Sequence, residues 1–63
     1  MQSHEHNGVH FVVEATETKP NQWTWWYRIE DGRTGKISDR PLPTEDLALS
    51  EGKGQGEFVI DRK

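Results

Sequence analysis

Trp23-Thr24-Trp25-Trp26-Tyr27 holds all three tryptophans and the only tyrosine of this 63-residue chain. Aromatic and β-branched residues favour extended backbone, so the stretch reads as a β-strand, from about Gln22 to Glu30. Side chains alternate along a strand. Trp23, Trp25, Tyr27 and Ile29 therefore share one face, and Thr24, Trp26, Arg28 and Glu30 share the other. The first face is a core. The second is polar apart from one large aromatic, Trp26.

The strands on either side follow from this one. Val9 to about Thr16 suits a strand with Val9, Phe11, Val13 and Ala15 on one face and His10, Val12, Glu14 and Thr16 on the other. Glu17 to Gln22 contains Pro20-Asn21 and reads as a turn. Asp31-Gly32 signals a hairpin into a short third strand, about Thr34 to Arg40. There Ile37 points inward and Lys36, Ser38 and Arg40 share the side of Trp26. Pro41-Leu42-Pro43 ends the sheet, because proline donates no ladder hydrogen bond. Residues 1–8, MQSHEHNG, are polar and read as a flexible, frayed terminus, leaving residues 9–63 as one small domain.

In the last third, Thr44 can cap a helix, and Glu45 and Asp46 suit its positive end. Ala48, Leu49, Gly52, Gly56, Val59 and Ile60 fall on one face of a helical wheel, opposite Ser50, Lys53, Glu57 and Asp61. Gly52, Gly54 and Gly56 each oppose a helix by roughly 1 kcal/mol relative to alanine. A rival reading therefore ends the helix near Ser50 and makes Glu57 to Asp61 a fourth strand. The continuous helix is preferred. A sheet face built of Trp23, Trp25 and Tyr27 needs a smooth partner, and Ala48, Gly52 and Gly56 provide one at four-residue spacing.

The stretch PTEDLALSEGKGQGEFVID resembles the C-terminal helix of many small uncharacterised bacterial proteins. These often show a P-T start, A-L-x-x-G, small residues and a closing I-D, after a tryptophan-bearing hairpin. The likeness covers about residues 22–61, with Gly54 and Gly56 standing where alanines are commoner. It implies a sheet-plus-helix fold and brings no activity with it.

The expected fold is thus α+β, a three-stranded antiparallel meander packed on one C-terminal helix, with a small all-β domain as the alternative. Core candidates are Phe11, Val13, Trp25, Tyr27, Ile29, Ile37, Leu49, Val59 and Ile60. Leu, Ile, Val and Phe number only 12 of 63 residues, a proportion typical of disorder, but a net charge of −3 is too small for that class. The composition points instead to a small domain of low stability or one helped by self-association. With no cysteine, disulfides and thiolate metal sites are excluded. The longest apolar run, Phe11-Val12-Val13, is too short for a signal peptide or a membrane span, so a cytoplasmic location is expected.

Chemistry-bearing motifs are few. Gly52 to Gly56 alternates glycines but is followed by Glu57 and Phe58 rather than the Lys-Ser/Thr of a phosphate loop. Serines 3, 38 and 50 have no nucleophile-elbow context, and Glu14, Glu30, Asp31 and Asp39 could form a carboxylate pair only by chance, so no catalytic residue is expected. His4, His6 and His10 could hold a metal loosely, but a structural zinc site wants four ligands on ordered backbone, so no metal or cofactor is expected.

What remains is Trp26, with Val12 on the neighbouring strand and Arg28, Lys36 and Arg40 around it. The set can be a homodimer contact, a ligand or peptide platform, or an aromatic covered by an arginine stem. As a platform it could also bind single-stranded nucleic acid weakly, although residues 28–40 carry four basic side chains against three acidic. The function read from the sequence is a non-catalytic protein-interaction module, with a homodimer through the outer sheet face as its expected form. The nucleic-acid binder is the alternative.

Overall fold

The computed structural model describes residues 1–37 and 40–62. Ser38 and Asp39, expected on the third strand, and Lys63 lie outside the described residues. The fold is α+β: strands β1 (Gln2–His6), β2 (Val9–Lys19), β3 (Gln22–Ile29) and β4 (Thr34–Lys36), then helix α1 (Glu45–Arg62). The sheet is antiparallel in the order β1-β2-β3-β4, with α1 packed on one face.

The expected three-stranded meander is one strand short. Gln2–His6, read as a frayed end, is the edge strand β1, joined to β2 by the two-residue turn Asn7-Gly8. Both turn residues have positive φ, 53° and 79°, as the tightest hairpin turns require. Asn21, at φ 61°, makes the β2–β3 turn after Pro20, and Gly32, at φ 101°, closes the β3–β4 loop.

Beyond β4 the chain stays along β3. Ile37 donates its N–H to the Trp25 carbonyl, and Leu42 exchanges two backbone hydrogen bonds with Trp23, both 2.7 Å. Leu42 is the one residue of Pro41-Leu42-Pro43 with an N–H to give, so the prolines frame a bridge where the sheet was expected to end.

Helix α1 is continuous. Thr44 caps it, its Oγ1 accepting from the Leu47 N–H at 3.2 Å. Phe11, Val13, Trp25, Tyr27, Ile29, Ala48 and Ile60 form the buried core, with Trp23, Ile37, Leu49 and Val59 packed at its margin. Gly52 and Gly56 lie at the closest approach of helix to sheet. A Cβ on Gly52 would stand 2.7 Å from Val13 Cγ1, and one on Gly56 would stand 2.7 Å from the Phe11 ring. Gly54 faces open space.

The three helix glycines therefore respond differently to alanine. Gly54→Ala is expected to raise stability by about 1 kcal/mol through helix propensity alone. Gly52→Ala gains the same propensity but overpacks against Val13, an effect of roughly 1–3 kcal/mol, so it is expected to be neutral to destabilising. Urea unfolding of the two variants beside the parent measures both. Equal stabilisation by the two would contradict the close approach.

Candidate functional site

Cross-strand register builds the outer face, the one turned away from α1. Glu14, Trp26 and Lys36 stand side by side on β2, β3 and β4. The next row along is Ser3, Val12, Arg28 and Thr34. Glu5 and His10 stand side by side beyond it, with Glu30 following Arg28 along the chain. Thr16 and Thr24 lie beyond Trp26 at the other end. Val12 and Trp26 are half-buried, and Arg28 and Lys36 are exposed.

Four of the five expected site residues, Val12, Trp26, Arg28 and Lys36, thus share this face. Arg40 does not join them. Its Nη2 lies 3.4 Å from Glu51 Oε1 on the helix, on the core side of the sheet. Glu51 was not singled out from the sequence, yet its other oxygen accepts the Trp25 indole N–H at 2.9 Å. The paired signal was Trp25 inside a core and a carboxylate one turn from Ala48 at the helix margin.

The outer face carries Arg28 and Lys36 as fixed cations against the carboxylates of Glu5, Glu14 and Glu30. Among the described residues neither cation makes an ion pair, whereas Glu5 lies 3.6 Å from His10. Two depressions open on or beside the face. One of about 180 Å³ is lined by Ser3, His10, Val12, Arg28 and Glu30 among others, and one of about 410 Å³ lies against Trp26, Thr34, Gly35 and Lys36. Both are open to solvent rather than enclosed, unlike the clefts that bury most of a small ligand.

The histidines separate by the same alternation. His10 faces outward. His6 faces the helix, its Nε2 3.0 Å from Asp61 Oδ1 and its Nδ1 3.9 Å from Glu57. His4 lies against the Phe11 ring. Among the described residues no group of three histidine, aspartate or glutamate side chains is placed to hold a metal ion.

The end of α1 is tied down by hairpin residues. Asn7 donates to Asp61 Oδ1 at 2.7 Å, and Arg33 Nη1 donates to the Val59 carbonyl at 3.0 Å, one of the carbonyls a helix end leaves open. Arg33 also donates from its side chain and backbone N–H to Asp31, holding that carboxyl below its ordinary value. A lowered carboxyl favours the fold at neutral pH, and this contribution fades as acid takes the pH down through the lowered value.

No helix among the described residues is long and apolar enough to cross a membrane. Comparison with protein-family models, with curated proteins and with solved structures finds no match.

The Glu51 contacts give a stability test of the core side. Glu51→Ala leaves the half-buried Trp25 N–H without its acceptor and is expected to lower stability by about 1–2 kcal/mol. Arg40→Ala removes only an exposed ion pair and is expected to change it by less than about 0.5 kcal/mol. Chemical denaturation of both variants separates the two contributions.

Proposed function

We propose that the chain is a non-catalytic protein-interaction module that works through its outer sheet face, with a second copy of itself as partner. The observation that carries this reading is Trp26, a large aromatic half-buried on the sheet face turned away from α1. Tryptophan is enriched where interfaces concentrate their energy. The mixed charge of the face supports a protein partner over nucleic acid. Phosphate tracking needs a cationic excess, and Arg28 and Lys36 are outnumbered there by Glu5, Glu14 and Glu30.

Sedimentation equilibrium across a concentration series, at low and high salt, tests the reading on the parent and two variants. The parent is expected to associate and to hold together in high salt. Trp26→Ser is expected to remain folded and monomeric. Trp25→Ser removes a core ring and is expected to lose about 3–5 kcal/mol, enough to unfold a domain of this size. A parent that is monomeric throughout, and that binds a single-stranded oligonucleotide with steep salt dependence, would replace this reading with the nucleic-acid one.

A further inference from the structure

We infer that two copies meet outer face to outer face about a two-fold axis that runs along β3 through Trp26, so that Glu14 of each copy faces Lys36 of the other. The inference rests on the reading that the outer face is the contact surface, and it adds how the partner is seated. Its basis is the row Glu14–Trp26–Lys36: an acid, an aromatic and a base in register on three adjacent strands. Neighbouring strands lie about 4.8 Å apart, so Glu14 and Lys36 are separated by roughly 10 Å, with the indole between them. They form no ion pair with each other. Each is left with a charge that its own chain does not match across the row.

A two-fold axis along the strand exchanges the two sides of the row and keeps its centre. Trp26 then packs on Trp26, and both carboxylates meet an ammonium group. An axis across the strands at this row would put Glu14 on Glu14 and Lys36 on Lys36, and like charges facing one another oppose association. Along the favoured axis Val12 faces Thr34, and Thr24 faces its own mate. Arg28 and Glu30, one and two rows on, also face their own mates, and these like-charge pairs are the unfavourable contacts of the arrangement. The molecule spans 36 × 19 × 15 Å, and its broadest projection is about 700 Å². That is slightly under the roughly 800 Å² per partner of a standard interface, and association is expected to be weak and visible only at high protein concentration.

Charge reversal tests the seating. Glu14→Lys alone and Lys36→Glu alone are each expected to weaken self-association by about tenfold or more, since two attractions become two repulsions. An equimolar mixture of the two variants is expected to form a heterodimer, because positions 14 and 36 again face each other with opposite signs. That preference should fade in high salt. Arg28→Gln is expected to tighten the dimer severalfold by removing the contact between arginines, whereas a nucleic-acid surface would lose affinity. The neutral variants Glu14→Gln and Lys36→Gln repeat the test should a reversal disturb the fold. If both reversals self-associate like the parent while Trp26→Ser does not, this seating is wrong and the outer-face reading stands. If Trp26→Ser associates as strongly as the parent, or the parent does not associate, both fall.

Discussion

The closeness of helix to sheet is the constraint on which the rest of this small fold depends. Ala48, Gly52 and Gly56 present almost no side chain, so the backbone of α1 settles directly onto Val13 and Phe11. Three glycines within the helix work against it by about 1 kcal/mol each. Two of them are repaid through contact, since burying an aliphatic or aromatic side chain fully contributes about 1.5–3 kcal/mol, and Phe11, Val13 and Ile29 are fully buried. At that distance Glu51 reaches the Trp25 indole from one margin of the helix, while Asp61 reaches His6 and Asn7 from the other.

The hairpins serve the same end. The Asn7-Gly8 turn sets β1 beside β2 and brings Asn7 and His6 to the last turn of α1. The β3–β4 loop brings Arg33 to the Val59 carbonyl there. Leu42, held against Trp23, returns the chain along the β3 edge and hands it to the Thr44 cap. Tyr27 lies directly over Gly35, where any side chain would collide with its ring, so the short strand β4 is covered by its neighbour. Helix α1 packs on one face of the sheet, and among the described residues no second helix covers the other.

Much of this was legible in the sequence because alternation is a strong signal where one face is apolar. It sorted Trp25, Tyr27 and Ile29 from Trp26 and Arg28, and four-residue spacing of small residues favoured a helix over a glycine loop. Strand β1 was not legible by that signal. Its helix-side positions are Gln2, His4 and His6, polar residues at a sheet edge, so no hydrophobic period marks it. Asn7-Gly8 was the mark available, since a flanked Asn-Gly pair is the strongest short-range hairpin signal. Arg40 was misplaced for a different reason. The alternation was extended from Thr34 through Arg40, but the regular strand ends at Lys36, and after that parity no longer decides which way a side chain turns.

The outer face differs from an ordinary solvated sheet face in how its charges are laid out. Side-by-side opposite charges on a sheet usually satisfy one another. Here the carboxylate and ammonium groups of the central row are held apart by an indole ring, while Glu5 and His10 in another row do approach each other. An acid–aromatic–base row is neutral in sum yet forms no ion pair among the described residues, and it becomes its own complement when turned over. A domain with this little apolar surface to bury gains from covering one more tryptophan. A second copy offers that cover without requiring any further residue from the chain.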